Sequence, residues 1–145
     1  MIYKNLITHN SVYNKLLSFY KKKHLPNAFI FHGNEGIGKE AHAIEFFGFL
    51  NCKKPGENRA CGICNSCLKT KIMQHELLHT IVPLPRSKTI KKNDSSLNGL
   101  TEKQRIDLTN HFEMKGGKPY HKIELERANT IIINSIRDIK NNINL

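Results

Sequence analysis

All four cysteines of the chain, Cys52, Cys61, Cys64 and Cys67, fall within 16 residues. The spacing C-x8-C-x2-C-x2-C makes two short knuckle turns that can aim sulfurs at one ion, with Gly62 easing the tight backbone between them. This is the ligand chemistry of structural, tetrahedral zinc, the cofactor expected here. Two disulfides or four separate core cysteines are the competing readings. Neither is natural, because no signal peptide precedes the cluster to imply an oxidising compartment.

A second chemical motif lies upstream. The string GNEGIGKE completes G-x-x-x-x-G-K at Gly33, Gly38 and Lys39, with Gly36 as a further permissive residue. Glycines let backbone amides curl around an anion, a following helix points its amino terminus at that anion, and the lysine reaches the outer phosphates. The next position, where a serine or threonine would hold magnesium, is Glu40, a like charge set beside phosphates. The favoured reading is a degenerate loop that keeps some phosphate affinity without hydrolysis, so ATP with magnesium is not expected as a working cofactor and no catalytic residue is assigned. The rival is a hydrolase in which Glu40 itself holds the metal.

His75, Glu76 and His79 spell H-E-x-x-H, the zinc-peptidase pattern, in which two histidines one helical turn apart bind the ion and the glutamate activates water. Their context opposes it. Thr80, Ile81 and Val82 favour a strand, and Pro83 ends any helix just past the second histidine.

The elements that must position these groups alternate. Ser11 is a plausible cap for a helix through Lys23, with Val12, Leu16, Phe19 and Tyr20 on one face and Pro26 as its stop. Residues 28–32 form a short apolar run that suits a buried strand feeding the phosphate loop. A helix from Lys39 to Leu50 follows, with Ile44, Phe47 and Leu50 inward; then comes the knuckle, residues 52–67, as an insertion, with a helix near 65–74. Residues 78–82 read as a second strand, residues 86–100 as a flexible, lysine-rich loop, and Thr101 with Glu102 as the start of a helix to about Phe112. After a turn at 116–119, Ile131 to Ile133 leads into Asn134 or Ser135 as cap of a helix carrying Ile136, Ile139 and Ile143. The predicted class is α/β: an incomplete P-loop fold, a parallel sheet with flanking helices, carrying an inserted zinc knuckle.

Composition bounds the partners. At 145 residues with 39% apolar content the chain suits one domain with a real core. No apolar run approaches the roughly 20 residues needed to cross a bilayer, so no membrane partner and a cytoplasmic location are expected. The formal net charge of +11 points toward nucleic acid, although four thiolates around a divalent ion would lower it by two. The local basic runs are Lys21 to Lys23 and Arg86, Lys88, Lys91 and Lys92, and runs of this size are usually solvated surface. A small zinc-binding module for DNA or protein therefore stands as an alternative.

With these residues in hand, HLPNAFIFHGNEGIGKE resembles the start of the AAA+ module of bacterial clamp-loader subunits. A four-cysteine knuckle of this pattern directly after the first helix is similar to that of the gamma/tau and delta-prime subunits of DNA polymerase III. Residues 75–85 and 118–140 are similar to delta-prime stretches, the latter leading to an I-x-x-I-R-x-I helix. Glu40 points the same way, because delta-prime subunits often lack a working ATPase site; a gamma/tau-like ATP-binding fragment is the alternative. The resemblance implies a non-catalytic subunit of the DNA polymerase III holoenzyme that acts in sliding-clamp loading. Its partners would be gamma/tau and delta, with the sliding clamp and primer-template DNA met through the complex. In that family the strand bearing acidic Walker B residues, the sensors, the lid and the collar come later than the stretch matched here. The expectation is an amino-terminal fragment or a reduced descendant, poorly soluble without the missing parts.

Overall fold

The computed structural model describes residues 1–143. Its elements are α1 (Asn10–Lys21), α2 (Lys39–Leu50), α3 (Asn65–Lys71), a 3-10 turn (Ser96–Gly99), α4 (Glu102–Gly117) and α5 (Ile133–Ile143). They belong to two compact units. The first comprises Met1–Leu78 with Lys115–His121, the second His79–Met114 with the described part of Lys122–Leu145.

No strand occurs among the described residues, which overturns the predicted parallel sheet. Residues 28–32 belong to no regular element, and Ile30 is 91% exposed and Phe29 36%. They flank an open apolar groove of about 500 Å³ lined by Val12, Leu16, Phe19 and Ile37. Residues 78–82 likewise form no ladder. The physical reason is that a strand exists only through a partner: its N–H and C=O groups point sideways, and apolar β-formers alone cannot supply the neighbour that pairs them. Helices close their own hydrogen bonds, and a helix stands in each place where one was expected, with ends that shift by a few residues.

In the first unit, α1 and α2 lie side by side in the same direction. The His9 N–H donates to His42 Nε2 at 3.1 Å at their starts, and the rings of Tyr20 and Phe49 meet edge to face at 4.9 Å near their ends. Tyr13, Leu16 and Leu17 of α1 bury against Phe46 and Phe49 of α2, each worth roughly 1.5–3 kcal/mol of transfer free energy. Helix α1 ends two residues before the predicted Lys23. Lys23 turns left-handed (φ 53°), and the His24 N–H reaches back to Phe19 O at 3.1 Å, a Schellman closure. Met73, at φ 58°, closes α3 the same way, before the predicted Gln74.

The second unit has one apolar core: Leu84, Leu100, Leu108, Ile123, Leu125 and Ile132. Its α4 opens with a reciprocal capping box, the Thr101 N–H donating to Gln104 Oε1 at 2.9 Å and the Gln104 N–H to Thr101 Oγ1 at 3.3 Å. This helix passes the predicted end at Phe112 and runs to Gly117. Helix α5 begins at Ile133, so Asn134 is not its cap. Asn134 is buried, and its amide donates to Lys91 O at 3.0 Å and Asp94 O at 2.7 Å. The segment 86–100 thus contributes two carbonyls to Asn134 and the fully buried Leu100 to the core.

Candidate metal centre

The four sulfurs are brought together by the ends of two helices. Cys52 follows the last residues of α2, where the Asn51 side chain donates to Phe47 O at 2.9 Å and the Cys52 N–H to Phe49 O at 3.2 Å. Cys64 is the amino-terminal cap residue of α3, and Cys67, fully buried, sits in its first turn. Between them the Cys61 N–H points at Cys52 Sγ and the Cys64 N–H at Cys61 Sγ, both at 3.3 Å, the pattern of a thiolate-receiving knuckle. Gly62 has φ 75°, and a Cβ there would lie 2.6 Å from the Met1 carbonyl oxygen, so glycine is required twice over. The Met1 ammonium donates to Ala60 O and Lys71 Nζ to Gly62 O, each at 2.5 Å, which fixes the turn from both sides.

The geometry fits the ion that the spacing predicts. With sulfurs about 2.3 Å from zinc, the edge of a regular tetrahedron is about 3.8 Å. Cys52 and Cys64 are 4.0 Å apart and Cys61 and Cys67 3.9 Å, and all four sulfurs lie within 4.8 Å of one another. These separations are far too long for S–S bonds and suited to thiolates sharing an ion. Burial opposes ionisation of Cys64, but the backbone N–H groups of Cys67 and Lys53 outweigh it and hold the thiol at about 6; backbone N–H groups of Ile63 and Cys64 also lower Cys61. Burial pushes Cys67 up to about 12, so it is the thiol that most needs a cation to ionise. Four thiolate ligands would leave no open position on an ion held here, which is compatible with a structural zinc.

The glycine-rich segment expected to hold phosphate lies directly ahead of α2. Gly33, Gly36 and Gly38 all take positive φ, and Gly38 caps the helix in the left-handed region at 77°, where a Cβ would press on the Tyr120 ring at 2.8 Å. Lys39 Nζ donates to Gly33 O at 2.9 Å and Asn34 O at 2.7 Å, drawing the loop over its own lysine. Glu40 is paired with a cation distant in the sequence. Its Oε2 lies 2.6 Å from Nζ of Lys115, a lysine only 2% exposed that also donates to Pro119 O at 3.1 Å and His121 O at 2.8 Å.

No local pattern in the sequence marked Lys115, which lies 75 positions from its partner. Glu45 was missed as well. It is fully buried, with carboxylate oxygens accepting from the Ile2 N–H at 2.9 and 3.1 Å and the Tyr3 N–H at 3.0 Å, so it holds the chain's first residues against α2. An acidic residue set among the apolar positions of α2, between Ile44 and Phe46, was the available signal.

The peptidase pattern does not assemble. Residues 75–79 are not helical; His75 Nε2 lies 3.0 Å from Ser66 Oγ, and Glu76 pairs with Lys69, which lowers its carboxyl. The four cysteines are the one cluster of three or more potential ligands among the described residues.

A sequence profile described as DNA polymerase III, delta subunit matches residues 8–145. Two curated relatives from Arabidopsis thaliana, Protein STICHEL-like 4 and Protein STICHEL-like 3, are each 32% identical over 66 residues. Those stretches cover 46% of this chain but 7% and 6% of the relatives, so the chain spans only a small part of their length. No solved structure matches. No helix among the described residues is long and apolar enough to cross a membrane.

Proposed function

The chain belongs to the DNA polymerase III, delta subunit family, and from that premise we propose that it serves as a delta-prime-type subunit of a clamp loader, a part of the sliding-clamp machinery that binds its partners without turning over ATP. The observation that carries the non-hydrolytic reading is the pairing of Glu40 with the buried ammonium of Lys115. A carboxylate engaged in this way stands where a hydroxyl would be needed to ligate magnesium, so the loop serves as a structural start for α2. The thiolate knuckle behind that helix supports the same reading, because one zinc would weld the end of α2 to α3 without offering a reactive position. Gamma/tau and delta subunits are the proposed direct partners, and the cytoplasm is the proposed location.

The test has two arms. ATP turnover is measured on the chain and on Lys39→Ala, with no turnover above background expected from either; turnover abolished by the substitution would restore the hydrolase reading. Association with purified gamma/tau and delta is measured by gel filtration. Co-elution supports the subunit role, and a chain that joins neither partner contradicts it.

A further inference from the structure

Two basic segments that are distant in sequence converge at one end of the first unit. Helix α1 runs out into Lys21, Lys22 and Lys23, and α2 runs out through Asn51 and Cys52 into Lys53 and Lys54. Because the two helices lie in the same direction, with Tyr20 against Phe49 at their far ends, both runs emerge side by side. The tie is direct: Lys21 Nζ donates to Asn58 Oδ1 at 3.2 Å, and Arg59 of the same loop, its charge uncompensated, donates to Met1 Sδ at 2.8 Å. All of these cations are exposed. None is in an ion pair among the described residues, and Glu57 is the one acidic residue within 20–24 and 51–60. Tyr20, 41% exposed, lies at their edge.

An uncompensated cluster of this kind costs repulsion in the folded chain and gains most from a polyanion that releases condensed counterions as it binds. Lysines suit phosphates as point charges without demanding a sequence, and an exposed tyrosine beside them offers a face for a base. We infer that the α1 and knuckle-loop surface formed by Lys21, Lys22, Lys23, Lys53, Lys54 and Arg59 binds the phosphate backbone of nucleic acid, independently of sequence. The surface stands apart from the phosphate loop and does not depend on the clamp-loader reading.

Fluorescence anisotropy tests it on the whole zinc-loaded chain, with a labelled oligothymidylate of about 20 nucleotides and a duplex of similar length, titrated between 50 and 200 mM salt. The variant Lys22→Gln/Lys23→Gln/Lys53→Gln/Lys54→Gln keeps the Lys21 tie. It is expected to weaken binding about tenfold or more at low salt, and to flatten the slope of log affinity on log salt by about 3 for single strands. Lys22→Gln/Lys23→Gln alone lies away from the metal ligands and is expected to give half that change, which guards against a zinc-deficient quadruple variant. Lys88→Gln/Lys91→Gln/Lys92→Gln should change neither quantity. Unaltered slopes in the patch variants, or an equal loss in this last control, overturn the inference. So does polyglutamate competing as well as oligothymidylate, which would assign the surface to an acidic protein. A chain that binds oligonucleotide yet joins no clamp-loader subunit would leave this inference standing and contradict the proposed function alone.

Discussion

The two units of this chain reach order by different routes. The first holds 13 lysines and arginines against five acids. Its apolar side chains split into one cluster around Ile2, Tyr3, Leu6, Ala41 and Ile44 and another between α1 and α2, beside polar ties: the thiol cluster, the Glu45 carboxylate on the Ile2 and Tyr3 amides, and the Lys115 ammonium on Glu40. The second holds ten against seven and relies on one core of leucine and isoleucine side chains. The difference teaches that the first unit should fail through chemistry, by losing a ligand, a proton or a partner charge, and the second through lost packing.

The widest separation between them is expected from Cys64→Ser. Structural zinc in small folds contributes on the order of 10 kcal/mol, so losing one of four thiolates should release the ion and unfold the knuckle. Metal analysis should fall from one zinc per chain to none, and hydrogen exchange should show α3 and the end of α2 unprotected while α5 amides keep their protection. Equal loss of protection in α5 would break the comparison. His75→Ala, at a residue bonded to Ser66 and not to the metal, should leave zinc content unchanged.

Leu100→Ala is the corresponding injury to the second unit. Leu100 is fully buried, and truncating such a side chain costs about 3 kcal/mol through lost transfer free energy and the cavity left behind. Denaturant unfolding should show that loss with zinc stoichiometry intact. A variant that sheds its zinc would mean the two kinds of order are not separable.

Lys115→Met tests the charged tie in the first unit, with an expected loss of about 2 kcal/mol, since the carbonyls of Pro119 and His121 and the Glu40 carboxylate all lose their donor. Glu40→Gln should cost much less, because the Glu40 side chain is 46% exposed and the ammonium keeps both carbonyls. Equal costs from the two substitutions would show that the carboxylate, rather than the turn, is what Lys115 serves.

These cases also show what was legible in the sequence. The gathering of the four cysteines and the helix beginning at Lys39 follow from short-range rules, since glycine, cysteine spacing and capping act within a few residues; the four sulfurs lie within 4.8 Å of one another and the helix starts at Lys39 as the spacing predicts. The sheet was the error. Residues 28–32 have the composition of a buried strand, but pairing depends on a partner that composition cannot supply, and Ile30 lies exposed. Lys115 and Glu45 were illegible for a related reason: each is buried only because a distant segment returns to meet it. The convergence of Lys21 to Lys23 with Lys53 and Lys54 likewise depends on the direction in which α2 packs on α1.

The smallest effect at neutral pH, and the sharpest in its sign, belongs to Tyr13. Tyr13 packs with Leu16, Leu17, Phe46 and Phe49, and its hydroxyl is buried without a hydrogen-bond partner. Burial pushes the phenol up to about 12, the negative charge of Glu45 adds to this, and Arg59 opposes it. Below pH 10 the phenol is protonated in both the folded and the unfolded chain, so it favours neither. Between 10 and about 12 the unfolded chain gives up its proton while the folded one retains it, and stability falls as pH rises. Tyr13→Phe should therefore be nearly neutral at pH 7, where only an unsatisfied hydroxyl is lost, and about 1 kcal/mol more stable than the parent at pH 11. Urea unfolding at the two pH values checks this. A parent and variant that decline in parallel above pH 10 would show that water reaches the hydroxyl, and that the aromatic cluster between α1 and α2 is looser than its buried rings imply.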